Sequence, residues 1–231
     1  MAKKPRINEV LKIFNILFED REDAGKKLAA ELDKFRNIKK LMILAIPRGG
    51  VIIGYEIAKK LHAPLDIIVP RKLRAPNQPE YAIGAITEDG NIILNEHAIN
   101  SLNISDDYIK LESQRQKMEI DRRLKTYKGE QKIPDLAGFH VIVVDDGIAT
   151  GATMKAALIS VKKRGAESVI LAVPVASSSA LRMLQDDADE IICLYTPETF
   201  YAIGQFYNSF EQNSDQEVKE LLEKTKSDRG E

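Results

Sequence analysis

Two carboxylates beside a run of small residues make the most chemically suggestive stretch of the chain, VIVVDDGIATGAT from Val141 to Thr153. Asp145 and Asp146 follow four β-branched residues, the pattern of a strand buried on both faces of a parallel sheet. A helical pattern begins at Met154, with Ala157, Leu158 and Val161 on the same face, and Gly165 marks its stop. Ligands of open α/β sheets sit beyond the carboxyl ends of strands, where this loop falls. Gly147 and Gly151 let backbone approach closely, and free N–H groups at a helix start attract a phosphate. Thr150 and Thr153 add hydroxyl donors. Two aspartates repel a phosphate but suit a neighbouring diol, whose O–H groups need acceptors. A phosphate beside a diol is a ribose 5-phosphate. A Walker A loop is excluded because Ala152 follows Gly151, where lysine is required. A dinucleotide fingerprint is excluded because its acidic residue comes about 20 positions after the glycines, not before them.

Other residues on the same sheet edge could share this chemistry. Pro47-Arg48-Gly49-Gly50 follows the apolar run LMILAI. Its glycines expose backbone N–H groups, and Arg48 can fork onto phosphate oxygens; a tight strand-to-helix turn is the weaker alternative. Arg71-Lys72, after the run Leu65 to Val69, poses a similar choice between solvated cations and anion ligands.

The stretch from Val141 to Thr153 resembles the phosphoribosyl-pyrophosphate (PRPP) binding motif of type I phosphoribosyltransferases, and the resemblance extends over about residues 15 to 210. It implies that Asp145, Asp146, Gly147, Ile148, Ala149, Thr150, Gly151, Ala152 and Thr153 bind PRPP. Arg48, Gly49 and Gly50 resemble the family's pyrophosphate loop, which often holds a cis peptide. Arg71 and Lys72 match the pair that opens the mobile loop of adenine-type members, where Glu80-Tyr81 stands in the place of a Glu-Tyr pair. Asp145, Asp146, Arg48, Arg71, Lys72 and Glu80 are therefore the expected catalytic set, with Mg²⁺ held by Asp145, Asp146 and substrate oxygens. Hypoxanthine and guanine enzymes carry an aspartate where this loop has Ala149, so the loop is closer to the adenine type. The combination of motifs resembles a prokaryotic subgroup whose accepting base is generally unassigned. The implied reaction moves 5-phosphoribosyl from PRPP to a base, releasing pyrophosphate, in nucleotide salvage. The alternative is a non-catalytic PRPP sensor on the same fold.

Composition sets the frame. The chain has 231 residues, 44% hydrophobic and 30% charged, enough for one α/β domain. A net charge of −1 gives no field to recruit nucleic acid or an anionic membrane, and no run is apolar and long enough to span a bilayer. The single cysteine, Cys193, excludes a disulfide framework, reads as a buried structural thiol and fits the cytoplasm. His62, His97 and His140 lack ligand spacing, so no zinc site is expected.

The elements that must position these residues are legible in order. Residues 1 to 8 are basic and read as loose. Asp20 caps an amphipathic helix to Phe35. Strand runs lie near 41, 65, 139, 169 and 191 with helices between them, predicting a five-stranded parallel sheet with helices on both faces. The family resemblance implies a core over about 38–196 and a hood formed by residues 8–37 and 196–212. Phe200 or Tyr201, in the aromatic segment after the last strand, is expected to stack on the accepting base. Pro70 to Pro79, with three prolines and three cations, reads as irregular. Arg71 to Tyr81 is then a lid that closes over ligand. Glu88-Asp89-Gly90 signals a hairpin. Asp106 to Tyr127 is a long charged helix with a sparse stripe of Ile109, Met118 and Leu124, packed on the domain edge or a partner, and a homodimer stays possible. Ser214 to Glu217 is a capping box opening a last helix to about Lys224, before a disordered tail within 213–231.

Overall fold

The computed structural model describes residues 16–129 and 134–230. Its strands are β1 (Leu41–Ala45), β2 (Leu65–Ile67), β3 (Arg71–Ala75), β4 (Gln78–Ile86), β5 (Ile92–Leu94), β6 (His140–Val144), β7 (Ser168–Val175) and β8 (Glu190–Tyr195). Its helices are α1 (Arg21–Glu31), α2 (Gly49–Leu61), α3 (Glu96–Ser101), α4 (Asp106–Lys128), α5 (Ala152–Lys163), α6 (Ser178–Leu184) and α7 (Asp215–Asp228). Five strands form one parallel sheet in the order β2-β1-β6-β7-β8.

Alternation along each central strand explains the two layers of helix. Ile43 and Ala45 of β1, with Ile142 and Val144 of β6, join the core that includes α1 and α2. Leu44 of β1, with Val141 and Val143 of β6, joins the core under α5 and α6. Both faces are buried, so both sets of alternate positions must be apolar. From β1 the chain winds outward to β2, then returns to β6 on β1's other side. The winding reverses between β1 and β6, and such a reversal opens a crevice at the carboxyl ends of those strands. Pro47–Gly50 and Asp145–Thr153 follow β1 and β6 there.

The hood is small. Backbone N–H groups of Leu17 and Phe18 both donate to Phe206 O, and Phe18 pairs with Tyr207. Residues 8–15 of the expected hood, and residues 1–8, which were expected to be loose, lie outside the described residues. Asp20, as expected, caps α1 by accepting from Asp23 N at 2.8 Å.

Four expectations need correction. The segment from Pro70 to Pro79 is regular: β3 and β4 form an antiparallel hairpin, which β5 extends to three strands. The prolines fit because Pro70 precedes β3, Pro76 lies in the turn, and Pro79 falls where the register slips between Arg74↔Ala82 and Ala75↔Gln78. Second, α4 buries only part of the stripe read for it: Ile109 and Leu124 pack, partly buried, against the core, but Met118 does not. Met118 is 66% exposed, whereas Glu112, Gln116, Ile120 and Tyr127 face inward. Glu112 accepts from Arg74 N of the edge strand β3 at 3.3 Å, and Gln116 accepts from Arg71 Nε at 3.1 Å. The helix covers an otherwise unpaired strand edge, which needs acceptors rather than methyl groups. Third, the last helix continues to Asp228, because Val218, Leu222 and Thr225 are buried and Asp228 accepts from Tyr55 Oη at 3.0 Å. Cys193 is half-buried rather than buried, and burial raises its thiol pKa.

Candidate functional site

A cavity of about 390 Å³ opens at the β1/β6 crevice. It is lined by Gly147, Ile148, Ala149, Thr150, Gly151 and Thr153 of the β6 loop and by Pro70, Arg71, Lys72, Arg74 and Arg123. Asp145, Pro47 and the hood residue Ile203 also line it.

The helix starts explain the anion character of this cavity. An N-cap side chain closes α1 (Asp20), α3 (Asn95), α4 (Ser105), α6 (Ser177) and α7 (Ser214). The helices α2 and α5 begin at Arg48 and Gly151 with no capping side chain. These two start in the loops after β1 and β6. Their first-turn N–H groups carry partial positive charge that no capping side chain meets. Gly151 has φ +82, a left-handed conformation that other residues adopt only under strain. Ala152 lines a separate groove with Lys155 and Met183.

The acidic pair divides. Asp145 faces the cavity, and its Oδ1 accepts from Asp146 N at 2.8 Å. Burial, reinforced by the charge of Asp146, raises its carboxyl pKa well above the usual value. Asp146 instead meets α1: Arg21 Nε donates to Asp146 Oδ2 at 2.7 Å. Burial raises the Asp146 pKa too, with Arg21 opposing the rise. Arg21 is fixed in turn by a bond from Nη1 to Glu211 O and by lying 3.7 Å over the Phe210 ring. Tyr207 Oη donates to Asp146 O at 2.6 Å.

Gly49 and Gly50 let α2 press against this pair. A Cβ at Gly49 would stand 1.9 Å from Asp146 Oδ2, and one at Gly50 would stand 2.9 Å from Asp145 Cα. The Pro47–Arg48 peptide bond is cis. Arg48 does not line the cavity; its guanidinium is 3.8 Å from Asp215 of α7. Phe200 packs on Phe206 with ring centroids 5.0 Å apart, and Tyr201 is 86% exposed; Ile203 is the hood side chain in the cavity. Glu80 lies within β4, and its side chain falls outside what is described. Arg21, Tyr207 and Arg123 escaped sequence reading because each reaches the site from an element remote in the chain, with no motif around it.

Among the described residues, no group of three or more His, Cys, Asp or Glu could hold a metal by itself. The site offers the Asp145 carboxylate inside a cavity lined by cations, with Asp146 beside it on Arg21. That donor set fits Mg²⁺, which takes one or two carboxylates and completes its shell with substrate oxygens and water.

Two Mycobacterium tuberculosis proteins named "Putative phosphoribosyl transferase", from different strains, are each 43% identical over 213 residues. That alignment covers 92% of this chain and 48% of theirs, so the chain spans about half the length of the curated relatives it matches. The crystal structure of TT1426 from Thermus thermophilus superposes with a TM-score of 0.77 at 36% identity, covering 90% of this chain and 98% of that one. AQ2163 from Aquifex aeolicus, at 13% identity, shares the fold with a TM-score of 0.50 over 90% of this chain and 96% of its own. The family model of the phosphoribosyl transferase domain matches residues 16–210, a range that runs from the hood through both anion loops, and the chain belongs to that family.

Proposed function

We propose that the cavity binds PRPP and that the protein transfers its 5-phosphoribosyl group to a nucleobase-like acceptor, releasing pyrophosphate. The observation that carries this reading is the pair of uncapped helix starts, α2 and α5, beside one cavity with a carboxylate between them. Two anionic groups flanking a polyol match that arrangement.

Each group then has a task. Gly147 to Thr153 hold the 5-phosphate through N–H groups and the Thr150 and Thr153 hydroxyls. Asp145 accepts from the ribose diol, and Asp146, held by Arg21, keeps the loop in place. Arg71 and Lys72 receive the pyrophosphate, with Gly49 and Gly50 offering backbone donors and Arg48 turning from Asp215 to join them. When the bond from ribose C1 to the pyrophosphate oxygen breaks, its electron pair leaves with pyrophosphate. The ring gains positive charge, as in glycoside cleavage. The cations stabilise the departing anion, and the acceptor nitrogen attacks C1. Glu80, on β4, is assigned to proton exchange with the acceptor, and Phe200 or Tyr201 to its face. Mg²⁺, held by Asp145 and Asp146 with substrate oxygens, supplies countercharge to the pyrophosphate when bound. Nucleotide salvage in the cytoplasm is the setting this chemistry suits.

The test is incubation with PRPP, Mg²⁺ and a panel of nucleobases, read by mass spectrometry. A new nucleotide whose yield falls in the Asp145→Asn variant is expected. PRPP binding without turnover on any base would replace the transferase reading with that of a PRPP sensor.

A further inference from the structure

We propose that Arg123, on helix α4, is a ligand of the leaving pyrophosphate. The inference rests on reading the cavity as a PRPP site and adds a residue that the motifs do not contain.

Arg123 lines the cavity alongside Arg71, Lys72 and Arg74, although it lies some fifty positions further along the chain and on a different element. Its side chain is 25% exposed. Its neighbour Arg71 is half-buried and is held in place by Gln116, one of the inward-facing polar side chains of the same helix. So α4 both fixes one cation of the cavity and contributes another. Burial lowers the Arg71 guanidinium pKa, and the charge of Arg123 adds to the effect. Four cations line a cavity where, among the described residues, the one acidic lining residue, Asp145, is itself pushed towards neutrality. An anion carrying several charges relieves that crowding.

The partner that Arg123 has now can release it. Arg123 Nε donates to Glu119 Oε1 at 2.8 Å. Arg122 already engages both oxygens of Glu119, through Nε at 2.8 Å and Nη2 at 3.0 Å. Glu119 therefore keeps a forked partner if Arg123 turns away. Among the described residues, the Nη1 and Nη2 groups of Arg123 make no hydrogen bond. Those are the two donors a guanidinium offers side by side to phosphoryl oxygens. Arg122 lies outside the cavity wall and provides a control that shares the same glutamate.

The experiment is calorimetric titration of the whole chain, with Mg²⁺ present, using three probes: PRPP, inorganic pyrophosphate and ribose 5-phosphate. Arg123→Met should weaken PRPP and pyrophosphate about ten- to a hundredfold, the range for a lost charge-assisted bond, and leave ribose 5-phosphate unchanged. Arg123→Lys should fall between, and Arg122→Met should match the wild type with every probe. Unchanged pyrophosphate affinity in Arg123→Met overturns the assignment, and so does equal weakening of all three probes, which marks a general distortion. The parent reading fails separately. If the wild type binds pyrophosphate but not ribose 5-phosphate, the cavity is not a PRPP site, while a selective loss in Arg123→Met still supports an anion ligand at this position.

Discussion

Asp145 and Asp146 are adjacent in sequence but do different work, and this difference can be measured. Asp145 faces the cavity with its carboxyl pKa raised by burial and by Asp146. A carboxyl whose folded-state pKa lies above its unfolded value costs nothing at low pH. The cost appears as pH rises from the unfolded pKa, about 3.9, through the raised one. Asp145→Asn removes that cost. It should match or exceed the wild type in urea midpoint at neutral pH, with the difference vanishing near pH 3. It should also weaken PRPP by about 1.5–3 kcal/mol for each charged acceptor bond lost. Asp146→Asn should gain less than Asp145→Asn at neutral pH, because the rise in its pKa is opposed by Arg21, which loses its carboxylate partner in the variant. If both variants shift stability alike, the division of roles is wrong. Gly49→Ala should lose both stability and PRPP binding, since its Cβ would fall 1.9 Å from Asp146 Oδ2 and either α2 or the acidic loop must move. The acidic pair and the glycines were legible in sequence because their types and order are sufficient to identify a loop. The reason for Gly49 was not: it is a steric contact with a residue almost a hundred positions away.

The hairpin of β3 and β4 shows how local composition can mislead. Three prolines and three cations suggested a loose lid, yet each proline sits where a strand tolerates it, and Leu73 and Ala75 are buried at 0% and 3% exposure. The hairpin is also tied down at its far end. Glu88 accepts from Val69 N at 3.2 Å and from Arg164 at 3.1 Å, and Lys117 donates to Glu88 O at 2.6 Å. Sequence reading found the Glu88-Asp89-Gly90 turn but could not see that its glutamate is buried against α5. The same limit hid the polar part of α4's inner face, where Glu112 and Gln116 serve β3 alongside the apolar contacts of Ile109, Ile120 and Leu124. Regular parallel strands were legible because both their faces are apolar; elements stabilised by specific polar contacts were not. Trypsin should therefore cut slowly after Arg71, Lys72 and Arg74 with or without PRPP and Mg²⁺. Fast cutting that ligand suppresses would restore the lid. Leu73→Ala should cost about 2–5 kcal/mol by urea unfolding, the range for emptying a fully buried site.

At the scale of the whole molecule, hood and core meet at the acidic loop. Phe18 pairs with Tyr207, and the Tyr207 ring stacks between Phe18, at 5.2 Å, and Phe210, at 5.0 Å. From that stack Tyr207 donates to the carbonyl of Asp146, while Arg21 lies on Phe210 and grips the Asp146 carboxylate. Chain segments from near both ends of the described residues thus fix one residue of the candidate site. Burial and the nearby Asp146 charge push the Tyr207 phenol pKa up, so its proton remains to be donated throughout the neutral range. Tyr207→Phe keeps the ring packing and removes one donor, leaving a buried carbonyl unpaired at about 1–3 kcal/mol. If the bond only ties hood to core, that loss of stability is the whole effect. If it also holds the acidic loop in its binding geometry, ribose 5-phosphate should stabilise the variant less than the wild type. A ligand at a hundred times its Kd adds about 2.7 kcal/mol to a fold that binds it. Urea unfolding at one fixed ribose 5-phosphate concentration, chosen near that level for the wild type, separates the two cases. We expect a lower midpoint without ligand and a smaller increment with it. A full increment in Tyr207→Phe would confine Tyr207 to packing and leave Arg21 as the hood's tie to the site.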